Sequence, residues 1–377
     1  MEKKSMNEKV LGIIFANMHE DSISDLTKSR TMGSVLFGGR YRLIDFVLSN
    51  MANSGVDEVG VITKSNYQSL LDHLGSGREW DLARKKGGLH LLPPFSHVQS
   101  GIYRGRLEAL YGVSDFIVRS DADYVIMSDC DIVTSMDMGP ILERHIETKA
   151  DITVVYSRDV ISIEEARRST VFGINEDGRI NDVMIHPSIS GCANVSLNIF
   201  IVSKEFLKNI ILEGAARGLY SFEEEILRGR THEYNIMGYC HNNYHKKIYS
   251  MVSYFEANMD LLDSENRAQL FPENAPVYTK VRDNPPAKYA IGASVKNSLV
   301  ADGCIIEGTV ENCILFRGAK VGRGSVVKDS IIMQDTVIGQ KCSLDSVITD
   351  KNVKISDSRV LTGSKHYPLY IGKGAEI

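Results

Sequence analysis

The sequence predicts an α/β layered domain followed by a parallel β-helix, and three observations carry that prediction. Up to about residue 255, short apolar runs alternate with stretches of helical periodicity, as in an α/β layer. The stretch 263–288 then gathers Pro272, Pro276, Pro285 and Pro286 among charged residues, which helix and sheet interiors exclude. From Tyr289 onward, apolar residues recur every six positions, the mark of a coil that stacks one aliphatic side chain per turn face. A chain of 377 residues suits two such domains. The expected boundaries are 1–262, a linker over 263–288, and 289–377.

Val10 to Phe15 reads as a buried first strand. Ile44, Val47, Leu48 and Met51 recur at helical spacing, with Gly55 placed as a C-cap. Val59 to Ile62 is a second strand. Tyr124 to Met127 is another, and it runs directly into Asp129 and Asp131. Open α/β sheets present ligand sites at this C-terminal edge of their strands. In the β-helix one register is Leu315, Val321, Val327 and Met333, and a second is Val326, Ile332, Ile338 and Leu344. Aliphatic-Gly pairs punctuate it at Ile291-Gly292, Val321-Gly322, Ile338-Gly339 and Ile371-Gly372.

Composition narrows the function. Hydrophobic residues make up 43% and charged residues 24%, normal for a globular chain. A net charge of −5 argues against nucleic acid as a partner, because phosphate backbones reward an excess of Lys and Arg. No apolar run approaches the roughly 18 residues of a membrane span. The stretch Met1-Glu-Lys-Lys-Ser-Met6 lacks the apolar core of a signal peptide, so a cytoplasmic protein with no membrane partner is expected. The six cysteines form no CxxC pair, which argues against zinc-knuckle and redox motifs.

Several motifs carry a resemblance. They are Phe37-Gly-Gly-Arg-Tyr-Arg-Leu-Ile-Asp-Phe46, Leu48-Ser-Asn50, Leu92-Pro-Pro94, Tyr103-Arg-Gly105, Phe172-Gly173 and Tyr254-Phe-Glu-Ala-Asn-Met-Asp-Leu-Leu262. As a set they resemble the bacterial ADP-glucose pyrophosphorylase family, which joins ATP and glucose 1-phosphate. The resemblance spans nearly the whole chain. It implies a nucleotidyltransferase domain with a Rossmann-like mixed sheet, a left-handed hexapeptide-repeat β-helix, and an oligomer.

The residues that the family uses for chemistry are changed. Its Gly-rich triphosphate loop corresponds to Ala16-Asn-Met-His-Glu-Asp-Ser-Ile23. Asn17, Met18 and Glu20 stand at the glycine positions and Ser22 at the arginine position. Glycines there let backbone N–H groups approach phosphate, and side chains fill that space. Each added carboxylate also costs about 4 kcal/mol against a phosphate charge 4 Å away near a protein surface. A phosphate-binding Lys becomes Met32, and the Glu-Lys-Pro sugar clamp reads Ile185-His186-Pro187. The Ser-Met-Gly sugar lining reads Ser196-Leu-Asn198, and Asp-Phe-Gly reads Ser221-Phe-Glu223. Of two Mg²⁺ aspartates, one has its counterpart in Asp129 or, alternatively, Asp131, and the other matches Lys247. An ammonium offers donors only, so Mg²⁺ binding is expected to be lost and no cofactor is expected. Lys247 is expected to pair with Asp129 or Asp131 in the ion's place.

This pattern resembles the non-catalytic, regulatory type of subunit in the same family. The resemblance implies a catalytic ADP-glucose pyrophosphorylase subunit as partner, a heterotetramer, and a role in glycogen biosynthesis. Phosphorylated effectors are a further expectation, with Arg40, Arg42, Arg104 and Arg106 as candidate anion contacts, since an arginine fork suits phosphate. Interdomain salt bridges are the alternative use of Arg40 and Arg42. Two other readings stay open: an enzyme active by itself on ATP and glucose 1-phosphate, and a sugar-phosphate or nucleotide sensor without such a partner. His366, the one histidine of the β-helix, lies past the regular repeats, which argues against acyltransferase chemistry there.

Overall fold

A computed structural model of the chain describes residues 8–94 and 103–377. The N-terminal domain is built on a nine-stranded mixed sheet. Val10–Phe15 lies at its centre, parallel to Glu58–Ile62 on one side and to Tyr124–Asp129 on the other. Gly88–Leu92 continues the parallel half. On the far side Gly191–Ser203 runs antiparallel to Tyr124–Asp129 and the sheet forks, because this long strand also pairs with Ile152–Ile161 and Thr170–Ile174. The central strands are apolar on both faces, as the sequence requires of a sheet covered by helices twice over.

Register positions the site. Phe15 pairs with Asp129, so the loop after the first strand lies directly over that carboxylate. A register shift between Ser196 and Ile199, with Asn198 at φ 53°, is a bulge that brings the Asn198 amide to Asp131. A separate two-stranded ribbon pairs His245–Lys247 with Ile132–Thr134, and sets Lys247 opposite Ile132. Gly105 explains a further motif. A Cβ there would run into Tyr220 O, and Leu107 N donates to that same carbonyl at 3.0 Å. Glycine thus lets the helix Arg106–Gly112 start pressed against the Tyr220–Glu223 segment.

The C-terminal domain has three five-stranded parallel sheets, one for each face of a triangular coil. Leu315, Val321, Val327 and Met333 are all fully buried, in line with the six-residue period. In the second register Ile332, Ile338 and Leu344 are buried, but Val326 is only half-buried because Val327 takes the interior position beside it. Asn297, Asn312 and Asp329 occupy one corner with φ of 41°, 52° and 41°, a left-handed conformation that Asn and Asp tolerate best after glycine. The Asn297 amide donates to Asn312 Oδ1 at 2.8 Å along that corner.

The segment expected to be a plain linker opens with a helix, Ser264–Leu270. Asp263 caps it by accepting from Glu265 N and Asn266 N, ahead of the prolines. The chain then runs along the first domain, with Tyr278 N donating to Ser49 Oγ at 2.8 Å. One apolar core joins the two domains: Phe37, Phe46, Tyr254 and Phe255 pack in one cluster with Phe316, Met333 and Ile348. Arg30 closes the seam by donating twice from Nη2 to Asp350, at 2.8 and 2.6 Å, with both side chains buried.

Candidate functional site

At the strand C-terminal edge the first loop is braced by side chains. Asn17 is buried: its Oδ1 accepts from Lys64 N at 2.8 Å, and its Nδ2 donates to Ser65 O and to Glu20 Oε1. Glu20 is half-buried, and that burial pushes its carboxyl up to about 7 from 4.5, against the lowering effect of Asn17 and Lys64. Met18 packs on the sheet core. Met32 is fully buried in the interdomain core, so no cation stands at its position. Ser22 is half-buried in the short helical turn Glu20–Ile23, and its N–H donates to His19 O.

Below this loop lies a dense charge cluster. Asp129 is 2% exposed and receives the Arg106 guanidinium, with Nε 3.3 Å from Oδ1 and Nη2 on Oδ2. The other arm of Arg106, Nη1, reaches Glu223. The same guanidinium lies 5.7 Å from the Phe15 ring and 5.6 Å from that of Phe200. His19, held at φ 62°, sets Nε2 3.1 Å from Asp129 Oδ2 and 4.0 Å from Asp131 Oδ2. Burial alone would raise the Asp129 pKa, but the Arg106 charge and the His19 hydrogen bond outweigh it and hold the group below the usual carboxylate range. Asp131 goes the other way: burial, reinforced by the charge of Asp129, lifts it. Its Oδ2 accepts from Asn198 Nδ2 at 3.3 Å, while its Oδ1 is buried without a hydrogen-bond partner.

Lys247 does not close on either aspartate. Its ammonium points to Arg168 O at 3.4 Å and Ser169 Oγ at 3.5 Å, and burial lowers its pKa despite the more distant attraction of Asp131 and Asp129. The expected Lys–Asp pair is therefore corrected: Arg106 and His19 hold Asp129 instead. The physical reason is reach. Lys247 sits on the ribbon paired with Ile132–Thr134, whereas Arg106 opens a helix that Gly105 allows to press into the pocket. His186, exposed at φ 51° just past the strand Ile180–Ile185, makes no carboxylate pair among the described residues.

The arginines separate into three environments. Arg106 is 3% exposed and is spent on Asp129 and Glu223, which removes it as an effector contact. Arg104 is exposed, ion-paired with Glu108 and set 4.7 Å over the Tyr220 ring. Arg40 and Arg42 line a cleft between the domains with Lys280, Arg282 and Arg317. Arg42 donates to Ser69 O and Oγ, and Asp45 pairs with His73 at 2.5 Å beside it. Asp302 pairs with Arg317 at 3.3 Å, yet Arg317 Nη2 is buried without a partner. Lys351 feels this charge: burial first, then Arg42 and Arg30, bring its pKa down to about 7.

The resemblance implies Mg²⁺ at this donor set. Mg²⁺ takes oxygen ligands in a near-octahedral shell. Asp129 is committed to a guanidinium and an imidazole, and Lys247 has no lone pair to give. The residues do not fit Mg²⁺. Sequence reasoning missed both groups that decide this. The sequence pattern puts Arg106 among the candidate anion contacts and gives His19 no role beyond its place in the loop. One signal was available: Glu223 stands where the family motif has glycine, and a carboxylate in a small-residue position calls for a cation nearby.

Comparison with known proteins agrees with the architecture. Residues 21–265 match the family described as Nucleotidyl transferase, and residues 285–366 match GlmU-like, C-terminal hexapeptide, which makes the coil the left-handed hexapeptide type. The chain is 37% identical to the Glycogen biosynthesis protein GlgD of Bacillus subtilis (strain 168), over 98% of this chain and 97% of that protein. It is 38% identical to the protein of the same name from Geobacillus stearothermophilus, over 85% and 84%. It is 34% identical to a Glucose-1-phosphate adenylyltransferase of Clostridium perfringens (strain 13 / Type A), over 90% and 87%. Among the described residues, no helix is long and apolar enough to cross a membrane. A mixed-sheet nucleotidyl transferase domain, a hexapeptide coil and full-length likeness to these proteins together place the chain in the glucose-1-phosphate adenylyltransferase family, in its GlgD branch.

Proposed function

We propose that the chain is a regulatory, catalytically deficient subunit of glucose-1-phosphate adenylyltransferase in bacterial glycogen biosynthesis, acting on a catalytic partner subunit in a heterotetramer. One observation carries the reading: the Arg106 guanidinium occupies the pocket under the first strand and bridges Asp129 to Glu223. Substrate and metal would have to break a buried ion pair to enter, which costs about 3–5 kcal/mol. Asn17, Met18 and Glu20 add bulk and charge where phosphates would lie. Metal bridging of phosphates is a large part of phosphoryl-transfer catalysis, and Asp129 and Lys247 do not supply it.

In this reading Arg40 and Arg42, with Lys280, Arg282 and Arg317, serve as the contact for a phosphorylated effector. The unpaired Arg317 Nη2 supports an anion there. The test is a three-way assay of ADP-glucose synthesis: this chain alone, a catalytic subunit alone, and the co-eluting mixture. The expected result is turnover by this chain at least about a thousandfold below the partner's. In the mixture the kcat or effector dependence of the partner should shift, by the fivefold to 150-fold, roughly, that site-to-site coupling commonly gives. Turnover by this chain within about tenfold of the partner's, or identical kinetics with and without it, would overturn the proposal.

A further inference from the structure

A second cavity, of about 460 Å³, lies between the end of the strand Ile152–Ile161, the ribbon strand His245–Lys247, and the helices Met251–Met259 and Ser264–Leu270. That volume is in the range of small-molecule sites. It is not the family's sugar clamp. Among the described residues, His186, Ser196, Asn198 and Ser221 are absent from its lining, and the buried side chains of Val195 and Leu197 give it an apolar patch. Its charges cancel. His245 Nε2 meets Asp159 Oδ2 at 2.9 Å, and Lys246 Nζ meets Asp260 Oδ2 at 3.1 Å. Lys247, the remaining cation, turns its ammonium to Arg168 O and Ser169 Oγ. Glu165 and Glu256 add two more carboxylates to the wall. Three cations thus meet four carboxylates, and an anion has nothing to gain there.

The hydrogen-bonding groups are set the other way, with unused donors and acceptors side by side. Gln269 spends its Oε1 on Tyr244 N at 2.8 Å, which fixes the amide and leaves Nε2 as a donor. Asn266 spends its Nδ2 on Asp260 O at 3.2 Å, which leaves Oδ1 as an acceptor. Among the described residues the Tyr249 hydroxyl has no partner, and burial pushes its pKa up to about 12, so it stays a neutral donor. A hydroxyl both gives and accepts a hydrogen bond, so a ligand rich in hydroxyls meets this mixed set and an ionic one does not. We propose that the cavity binds a neutral, unphosphorylated hexose unit, as a free sugar or as the end residue of a glucan. Gln269, Asn266 and Tyr249 take its hydroxyls, and its C–H face rests on Val195 and Leu197. The cavity stands apart from the regulatory reading; only the choice of glucose and its α-1,4 oligomer as probes rests on it.

The experiment mixes the full chain with glucose, galactose, mannose and maltotriose, using saturation-transfer NMR for contact and calorimetry for affinity. At least one of these sugars should bind at a single site, and a large excess of inorganic phosphate should leave it in place. Tighter binding of maltotriose than of glucose assigns a glucan end, and equal or weaker binding assigns the free sugar. Gln269→Glu keeps the acceptor for Tyr244 N and removes the free donor. Tyr249→Phe removes a hydroxyl alone. Each should weaken the sugar roughly threefold to tenfold, the worth of one hydrogen bond, with the circular dichroism spectrum unchanged. No binding of any of these sugars, affinity indifferent to both variants, or displacement by phosphate would each overturn the proposal. Galactose or mannose bound with glucose ignored would uphold the cavity and count against the glycogen reading. Partner-subunit kinetics play no part in the readout, so either idea can fail without the other.

Discussion

The pocket at the strand edge and the cleft between the domains are built with opposite charge economies. In the pocket the central charges are paired: Arg106 meets Asp129 and Glu223, and His19 meets Asp129. In the cleft Arg40, Arg42, Lys280, Arg282 and Arg317 converge, and among the described residues Asp302 is the one carboxylate whose side chain pairs with an arginine of that lining. Fields of one sign in a narrow cleft draw counter-ions, whereas a neutralised and packed pocket has little left to offer a ligand. The contrast makes the seam, and not the pocket, the place suited to an anion.

The comparison can be broken first at Arg106. Arg106→Met strands Asp129 and Glu223 together, and should cost about 4 kcal/mol by urea unfolding, since removing one partner of a buried ion pair leaves a charge uncompensated. A loss under about 1 kcal/mol, the range of an exposed pair, would show that the pocket is wet. Arg30→Met strands only Asp350 at the seam, and a loss of about 3 kcal/mol is expected from the same measurement.

Glu20 gives a smaller effect with a pH signature. Burial raises its folded pKa to about 7, above 4.5 in a free chain, so the folded state binds this proton more tightly. Its contribution to stability is full below pH 4.5 and fades as pH rises through 7. Glu20→Gln should remove that decline, by about 1 kcal/mol after discounting for a partly solvated group. A stability–pH curve that keeps its slope in the variant would contradict the burial of Glu20. The smallest effect is expected at Arg104. Its pair with Glu108 is exposed, so Arg104→Ala should leave the unfolding midpoint where it was and serve as the control.

The β-helix was legible because each coil repeats one demand, an aliphatic side chain turned inward, and repetition averages out local exceptions such as Val326. The first strand and the two aspartates were legible because a strand feeding acidic residues has a fixed geometric meaning. What the sequence hid is pairing at long range. Arg106 and Glu223 are 117 positions apart, and nothing local in either says that Gly105 lets their segments touch. Lys247 misled because a family position was read as a point in space. The residue lies in the ribbon beside Ile132, but its side chain leaves toward Ser169. Likewise the helix Ser264–Leu270 was obscured by the prolines that follow it.

The helix Leu43–Asn53 has a mechanical meaning. It begins at the cleft, where Asp45 holds Arg42 N and His73. Near its other end, Asn50 Nδ2 donates to Thr134 O and Asn50 Oδ1 accepts from Met136 N, both at 3.0 Å. Thr134 belongs to the ribbon that carries Lys247. Eleven residues at 1.5 Å each make a rigid rod of roughly 16 Å, pinned at the seam and at the floor of the pocket. One continuous hydrogen-bonded element therefore ties the backbone of Arg42 at the cleft to the ribbon that carries Lys247.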